Sequence, residues 1–404
     1  MPTLEWIGKS KVINHHQDVP FRVLERKYSF DENGQHDEDN GSENMIIRGD
    51  NLEALKALLP RYEGRVKCIY IDPPYNTGNE GWVYNDNVND PKIKKWLGEV
   101  VGKEGEDLTR HDKWLCMMYP RLKLLQKLLH PTDGSIFISI DENEIQNLKL
   151  ICNEIFGSNH HVATIAWQKR YSRENRGAIG DAHEYILVYA SDVETFKVIR
   201  HKVEFDENSA KVYKNPNNDP KGRWRAVPMT AQGYRPNQMY PITTPSGKVC
   251  YPPQGRCWST VESEYKKLLE AGRIYFGKNG DSQPSTIRYL SEVEGMIPWT
   301  WWPHEEVGHT DEAKKEIITI LGNADSFDTP KPTRLIKRIL QIATNPDDII
   351  LDSFAGSGTT AHAVLNMNKA DGGHRKFILV EMMDYADSIT AERVKRVIRG
   401  YGEN

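Results

Sequence analysis

The chain has 404 residues and a net charge of −4 at neutral pH, so its overall charge does not predict a polyanionic partner, and any nucleic-acid surface must be local. It contains no apolar run of about 18 residues and no apolar signal-peptide core near its start, so no membrane span is expected. Its five cysteines form no Cys-x-x-Cys pair, which predicts reduced thiols and no metal site.

The first 190 residues predict an irregular leader followed by alternating strands and helices. Residues 1–43 are polar and include an acidic stretch from Asp31 to Glu43. Beyond them, apolar runs and helical periods alternate in the order β-α-β-α-β-α-β-β. This order predicts an α/β fold with a doubly wound, mostly parallel, Rossmann-like sheet. The predicted strands are 44–48, 66–71, 135–140, 162–167 and 185–190, and the predicted helices are 52–59, 113–130 and 143–156.

One buried strand ends at the tetrapeptide Asp72-Pro73-Pro74-Tyr75. The apolar run 66–71 predicts a strand of a parallel sheet, and two consecutive prolines force the chain out of it. A carboxylate, bare carbonyls and an exposed aromatic ring then meet at a strand's carboxyl end, where α/β sheets bind ligands. A purely structural exit from the sheet is the alternative. In the polar loop 76–112 that follows, the candidates to line a substrate mouth are Asn76, Trp82, Tyr84, Asn85 and Asp86.

Residues 191–300 differ in composition from both flanks. Prolines, glycines and aromatic residues crowd there, and helical periodicity is confined to 261–271, so we predict a separate module rich in strands and loops. Basic side chains alternate with aromatic ones, which suits contact with phosphates and bases. A surface on which basic stems simply pack along apolar groups would have the same composition.

A second ligand-binding pattern lies within 301–404. A predicted strand, 349–351, runs into Asp352-Ser353-Phe354-Ala355-Gly356-Ser357-Gly358-Thr359-Thr360, and a helix follows. The glycines let the backbone approach a ligand, and the helix start offers unpaired N–H groups. A later strand ends in Glu381, where an acidic side chain commonly binds a ribose diol. The loop favours a nucleoside ligand, and the lack of a full Gly-x-Gly-x-x-Gly argues against an oxidoreductase.

Together the two motifs resemble those of S-adenosylmethionine-dependent amino-methyltransferases of DNA. The tetrapeptide 72–75 comes first, a variable module follows and the loop 354–358 comes last, an order similar to that of the β class, which includes modification subunits of type III restriction systems. Thr329-Pro330-Lys331-Pro332 matches the segment before the cofactor loop in that class. Such proteins often continue beyond the last helix predicted here, so we expect either a full modification subunit or a shorter relative. The resemblance implies a circularly permuted methyltransferase sheet, with 44–190 as catalytic half, 191–300 as target-recognition module and 301–404 as cofactor-binding half.

The resemblance also implies residue roles. Asp72, rather than Ser, is typical of enzymes that methylate the N6 amine of an adenine extruded from duplex DNA. Asp72 and the Pro73 carbonyl would accept the amine hydrogens, Pro74 would fix this geometry, and Tyr75 would stack on the base. S-adenosylmethionine would be the cofactor, with Glu381 on its ribose and with Lys331 and Thr333 on its methionine carboxylate. The other cofactor-binding candidates are Asp50, which could equally cap a helix, Asp72, Asp352, Phe354, Gly356, Ser357, Gly358 and Thr359. The DNA-contact candidates are Asn76, Arg223, Arg225, Arg235 and Arg256.

The partners that the resemblance implies are double-stranded DNA, a second copy of the chain, and a restriction subunit with helicase and nuclease activity. The expected location is the cytoplasm, in association with the nucleoid. Three alternatives stay open: a cytosine-N4 methyltransferase, a methyltransferase of RNA or of protein amides, and an inactive DNA-recognition subunit. Intact Asp72, Tyr75, Gly356 and Glu381 argue against the last of these.

Overall fold

Two units make up the chain. The computed structural model describes residues 3–77, 91–101, 109–173, 178–204, 210–323 and 327–401, and only the backbone of 91–94. The larger unit joins Met1–His201 to Pro298–Asn404, and the smaller unit is Lys202–Ile297. The smaller unit is therefore an insertion in the sequence of the larger one.

An eight-stranded sheet forms the centre of the larger unit. Its strands are β1 (Met45–Arg48), β2 (Cys68–Ile71), β3 (Ser135–Ile140), β4 (His161–Gln168), β5 (His183–Ala190), β6 (Trp301–Trp302), β7 (Ile349–Asp352) and β8 (Lys376–Glu381). Their order is β6-β4-β5-β3-β2-β7-β8-β1. Within the described part of the chain, β5 alone runs antiparallel to its neighbours in this sheet. The predicted α/β fold with a mostly parallel sheet is confirmed.

The strands that precede the two motifs are neighbours. β2 pairs with β7 in parallel, with Cys68 opposite Ile350 and Ile69 opposite Leu351. Every residue of β2 is buried, as expected for a strand that is covered on both faces. Since parallel neighbours end at the same edge of a sheet, Asp72 and the glycine loop emerge side by side. The prediction that the two motifs come from adjacent strands is confirmed.

Helices pack on the sheet and bury its faces. The helix Arg110–Leu128 begins with a capping box, in which Thr109 and Asp112 satisfy each other's backbone N–H groups. Its fully buried Trp114 and Leu122 belong to one core cluster with Ile69 of β2. The helices of the larger unit are Lys9–Val12, His15–Asp18, Asn51–Tyr62, Pro91–Val100, Arg110–Leu128, Ile145–Phe156, Val193–Ile199, His304–Val307, Thr310–Leu321, Thr333–Ala343, Thr359–Asp371 and Glu392–Arg399. None of the helices described is both long and apolar enough to cross a membrane.

The sequence prediction missed local structure in two segments. The leader is not irregular throughout, because it contains two single-turn helices and a hairpin between Ser29–Asp31 and Gly34–His36, and Val12 joins the core. The segment predicted as a loop between 76 and 112 contains the helix Pro91–Val100. The candidates Trp82, Tyr84, Asn85 and Asp86 lie outside the described residues.

In the part of the smaller unit that the structure describes, short strands and loops surround the α-helix Glu262–Glu270 and the short 3-10 helices Pro236–Gln238 and Leu290–Glu292. Its largest sheet has three antiparallel strands in the order Ile274–Tyr275, Ser285–Tyr289, Trp224–Pro228. Two further strand pairs are Thr230–Gln232 with Arg256–Trp258 and Ile242–Thr243 with Val249–Cys250. Met229, Tyr240, Trp258, Tyr265 and Phe276 form part of its core. This content agrees with the strands and loops that the composition predicts.

Candidate active site

Asp72 lies buried at the end of β2, in an ion pair with a residue from the second motif region. The Nζ of Lys331 lies 2.9 and 2.8 Å from the two carboxylate oxygens of Asp72. Burial raises the pKa of Asp72, and Lys331 acts in the opposite direction. The indole of Trp114 donates a hydrogen bond of 2.6 Å to the Pro74 carbonyl, which holds the rigid tetrapeptide in place.

Tyr75 does not present an exposed ring. It is only 6% exposed, so the prediction of an exposed aromatic face is wrong in this structure. Its hydroxyl donates to Oε2 of Glu184 at 3.0 Å, and it also interacts with Asp72. The ammonium of Lys331 lies 4.9 Å from the ring centroid, within range of a cation–π contact. The ring is therefore packed against the charged groups of the site.

Glu184 and Lys169 complete a buried cluster of two carboxylates and two ammonium groups. Lys169 Nζ lies 3.1 Å from Oε1 of Glu184, and Lys331 Nζ lies 3.7 Å from Oε2. Burial by itself would raise the pKa of Glu184, but the two lysines outweigh it, so the pKa is lowered. Sequence reasoning missed both residues. The position of Glu184 in β5, His183–Ala190, directly before the apolar run 185–190, was the signal that could have revealed it.

Asn76 supports the end of the tetrapeptide from inside the protein. Its backbone is left-handed, with φ 59°, and its side chain is 1% exposed. The side-chain amide donates to the Arg110 carbonyl at 3.2 Å and to fully buried Glu144 at 2.5 Å. Glu144 also binds His111 Nδ1 at 2.6 Å and accepts from Asn147 at 2.8 Å. The sequence predicted that Asn76 contacts DNA, and the burial of its side chain does not support that prediction.

The glycine loop is organised by two carboxylates. Glu381 accepts the backbone N–H of Gly356 on Oε2 and that of Met383 on Oε1, both at 2.9 Å. Asp352 accepts from the Phe354 N–H at 3.0 Å and from the Thr360 hydroxyl at 2.5 Å. Burial raises the pKa of Asp352 to about 7 in spite of these hydrogen bonds.

Behind the loop lies a fully buried arginine. Arg393 donates to the hydroxyls of Ser357, at 3.0 Å, and Thr359, at 2.8 Å, and it forms an ion pair of 2.9 Å with Glu316. The hydroxyl groups of Ser357 and Thr359 therefore bind a protein side chain. The sharp turn of the loop is made by its backbone. Gly358 has φ 79°, and a Cβ there would lie 3.1 Å from the Thr390 carbonyl oxygen.

Three predicted cofactor-binding side chains bind other protein groups. Asp50 caps the helix Asn51–Tyr62 by accepting from the Glu53 N–H at 3.0 Å. The Thr333 hydroxyl donates to Glu316 at 2.5 Å. Lys331 extends its ammonium to Asp72, while its carbonyl accepts from the Thr359 hydroxyl at 3.2 Å.

Other atoms around the loop keep unused capacity for a ligand. Asn51 donates to the Ser353 carbonyl, but the buried Asn51 Oδ1 and Ser353 Oγ have no hydrogen-bond partner among the described residues. This acceptor set fits a ligand with hydroxyl and ammonium donors, such as a nucleoside joined to an amino acid. The described residues contain no group of three or more His, Cys, Asp or Glu side chains that could hold a metal ion.

The predicted DNA-contact arginines of the smaller unit have different surroundings. Arg223, Arg225 and Arg235 are exposed. Arg225 packs 5.2 Å from the ring centroid of Tyr213, and Arg235 donates to Gln238 at 3.2 Å. Arg256 is partly buried, and its guanidinium donates to the hydroxyl and carbonyl of Thr230, both at 3.0 Å, so it connects the two paired strands Thr230–Gln232 and Arg256–Trp258.

An exposed arginine pair lies on the three-stranded sheet. Arg288 stands directly opposite Arg225 in the antiparallel ladder, and both are exposed. The sequence shows Arg288 only as one of several basic residues of the module, and strand pairing places it opposite Arg225. Like charges directly opposite each other destabilise a sheet, so the pair has a cost in the free protein.

Comparisons with known proteins agree with the geometry. Residues 66–392 match the family described as DNA methylase. The chain is 39% identical over 391 residues to the type III restriction-modification enzyme StyLTI Mod subunit of Salmonella typhimurium, covering 89% of this chain and 58% of that protein. It is 61% identical over 301 residues to the type II methyltransferase M1.MboII of Moraxella bovis, covering 73% and 78%. It is 31% identical over 364 residues to the type II methyltransferase M.KpnI of Klebsiella pneumoniae, covering 85% and 81%. The chain thus spans less than two thirds of the Salmonella Mod subunit's length.

Proposed function

The chain belongs to the DNA methylase family, and we propose that it transfers a methyl group from S-adenosylmethionine to the N6 amine of an adenine in duplex DNA. The observation that carries this proposal is the pairing of β2 with β7. It brings the carboxylate of Asp72 and the glycine loop to one edge of the sheet, so a methyl acceptor and a methyl donor can meet there.

The residues around the loop fit this cofactor. Glu381 lies against the backbone of Gly356 and is the candidate for the ribose hydroxyls, and Asn51 Oδ1 and Ser353 Oγ are buried acceptors available to an ammonium or amide donor. When it binds, S-adenosylmethionine supplies an electrophilic methyl carbon on a positively charged sulfur, which becomes a neutral thioether as the C–S bond breaks. The backbone at Gly356 can approach such a ligand closely because a glycine has no Cβ, whereas Gly358 leaves room for the Thr390 carbonyl.

Asp72 and Pro73 act on the amine. The adenine must leave the stack, since its N6 atom cannot reach a buried carboxylate within the duplex. The Asp72 carboxylate and the Pro73 carbonyl accept the two N–H hydrogens, which favours a tetrahedral nitrogen with a localised lone pair. As the nitrogen bonds to the methyl carbon, it becomes positively charged and its proton becomes acidic. The Asp72 carboxylate stabilises that charge and accepts the proton.

We also propose that the inserted unit, 202–297, recognises the DNA target. Between 210 and 261 the chain has eight Lys or Arg residues and one Asp, in contrast to its overall charge of −4. Arg225 and Arg288 are exposed and opposite each other, so phosphate groups would relieve their mutual repulsion. Exposed Arg223 and Arg235 are further candidates for backbone contact.

The similar proteins suggest which partners this chain assembles with. Since one similar protein is a type III Mod subunit, a restriction subunit with helicase and nuclease activity is the proposed partner, and a second copy of this chain is another. Its substrate would place the protein with the nucleoid in the cytoplasm.

The proposal is tested by methyl transfer. The purified chain is incubated with tritiated S-adenosylmethionine and with duplex DNA, RNA or protein in separate reactions, and the modified nucleoside is identified by mass spectrometry. We expect label in DNA as N6-methyladenine. N4-methylcytosine would correct the base, label only in RNA or protein would refute the DNA assignment, and no label in any substrate would favour an inactive recognition subunit. Single-molecule sequencing of DNA from cells that express the chain would then give the recognition sequence.

A further inference from the structure

The ammonium of Lys331 is bound to the carboxylate of Asp72, which the proposed reaction needs as an acceptor. It lies within 2.9 Å of both oxygens of Asp72. If Asp72 accepts the target amine, the lysine competes with the amine hydrogens for the same lone pairs. A cation beside Asp72 also opposes the positive charge that develops on the amine nitrogen. A second binding place for the ammonium during the transfer would relieve both effects.

Glu184 offers that place at short range. Its Oε2 lies 3.7 Å from Lys331 Nζ, so a shift of about 1 Å gives a charge-assisted hydrogen bond of normal length. The carboxylate is held from two sides, by the Tyr75 hydroxyl at 3.0 Å and by Lys169 at 3.1 Å. Glu184 is 9% exposed and lies on the central strand β5, so it does not have to move.

The shift leaves no buried charge alone. In either position the ammonium of Lys331 has a carboxylate partner, and the cluster keeps two negative and two positive side chains. Removing one partner from a buried ion pair is costly, whereas moving a cation between two carboxylates avoids that cost. Without Glu184, release of Asp72 would leave Lys331 buried without this carboxylate to receive it.

We propose that Glu184 is a positioning residue, which provides the second binding place for Lys331 and so releases Asp72 to accept the target amine. The proposal rests on the methyltransferase function proposed above. It assigns Glu184 an electrostatic task in the transfer step, in addition to its place in the packing of the sheet.

The test compares a variant that removes the charge of Glu184 with one that shortens its side chain. Glu184→Gln keeps the size of the side chain and an acceptor for Tyr75 but removes the charge, whereas Glu184→Asp keeps the charge and shortens the side chain. We expect Glu184→Gln to lower kcat by at least about tenfold with KM for S-adenosylmethionine and DNA within about twofold, because the lost interaction forms only in the transfer step. Glu184→Asp should retain more activity than Glu184→Gln. A merely structural role predicts the opposite order.

The pH profile gives a second readout. The charged and titratable groups that face Asp72 are Lys331, Glu184, Tyr75, Tyr70 and Asp352. The Glu184 carboxylate helps to raise the pKa of Asp72, so its removal should move the acidic side of the kcat/KM profile to lower pH. Melting temperature and S-adenosylmethionine binding are measured for each variant to confirm folding.

Glu194→Gln is the matched control. Glu194 lies on the exposed helix Val193–Ile199, beside Lys197, and its loss should leave kcat unchanged. Wild-type kcat in Glu184→Gln, or a lower kcat in Glu184→Asp than in Glu184→Gln, would refute the positioning role while the methyltransferase function stands. A wild-type chain that methylates no DNA would instead refute the function on which the proposal rests.

Discussion

The ammonium of Lys331 lies 2.8 Å from a carboxylate oxygen of Asp72, although the two residues are 259 positions apart in the chain. The backbone carbonyl of the same lysine accepts a hydrogen bond from Thr359, at the end of the glycine loop. One residue of the Thr-Pro-Lys-Pro segment therefore connects the tetrapeptide 72–75 to the glycine loop. Its ion pair also explains how a carboxylate that is 7% exposed can remain charged.

The first prediction concerns the Asp72 carboxylate. Asp72→Ala should lower methyl transfer by about 10²- to 10⁴-fold, because the amine loses its acceptor and the developing positive charge loses its counter-ion. S-adenosylmethionine binding, measured by calorimetry, should stay within a few-fold, since the acceptors around the glycine loop are intact. A variant that methylates at the wild-type rate would contradict the role given to Asp72.

The second prediction concerns the pH dependence that Lys331 sets. Lys331→Met removes the cation that opposes the effects of burial and Glu184, so the pKa of Asp72 should rise further. Because the proposed transfer uses the ionised carboxylate, the acidic side of the kcat/KM profile should move to higher pH. Lys337→Met, on the exposed face of the helix Thr333–Ala343, is the control and should leave the profile in place. An unmoved profile in Lys331→Met would show that the ion pair does not tune Asp72.

Sequence patterns predicted the strands that carry the site better than they predicted the ion pairs within it. Strong apolar runs such as those of β2 and β7 identify buried strands, and the rules of parallel sheets place their ends together. The Asp72–Lys331–Glu184 cluster could not be predicted in this way, because its members come from three distant segments and no local period links them. The two-residue strand β6 escaped prediction for a related reason, since so short an edge strand carries no alternation.

The third prediction uses the buried carboxyl of Asp352. Burial raises its pKa to about 7, whereas an Asp in the unfolded chain titrates near about 3.9. The folded state therefore holds this proton more tightly, and stability should fall as pH rises from about 4 to about 7 and then level off. Asp352→Asn is neutral throughout, so its unfolding free energy relative to wild type should increase over this range, by on the order of a few kcal/mol. Denaturant unfolding at several pH values measures the difference.

Asp347→Asn is the control for that experiment, because Asp347 is exposed in the turn before β7. Its stability relative to wild type should not vary over the same range. Asp141, whose pKa burial raises to about 6, contributes to the pH dependence of wild type and variant alike and cancels in the comparison. A constant difference between Asp352→Asn and wild type would mean that Asp352 is ionised in the folded protein at pH 5.

The fourth prediction concerns the arginine pair of the inserted unit. Arg288→Ala should weaken DNA binding several-fold for any sequence and reduce the slope of log K against log salt by about 1, as expected for one lost phosphate contact. The unfolding free energy should stay the same or rise by a few tenths of a kcal/mol, because Arg225 loses a like charge directly opposite. Lys266→Ala, on the exposed helix Glu262–Glu270, is the control variant. Equal salt slopes in Arg288→Ala and wild type would exclude a phosphate contact by Arg288.

The last prediction compares glycines at the two ends of one helix. It distinguishes the cost of a positive φ from the effect of displacing the cofactor loop. Gly358 and Gly372 flank the helix Thr359–Asp371, with φ 79° and 71°, so an alanine at either position should cost about 1–2 kcal/mol of stability. A Cβ at Gly372 meets no atom within 4 Å, whereas a Cβ at Gly358 would lie 3.1 Å from the Thr390 carbonyl, so the cofactor loop must shift. Gly358→Ala should therefore raise KM for S-adenosylmethionine by about tenfold or more, while Gly372→Ala should leave it unchanged. Initial-rate kinetics and thermal melts of the two variants measure both effects. If the two alanines change KM equally, the position of the Gly358 backbone is not what holds the cofactor.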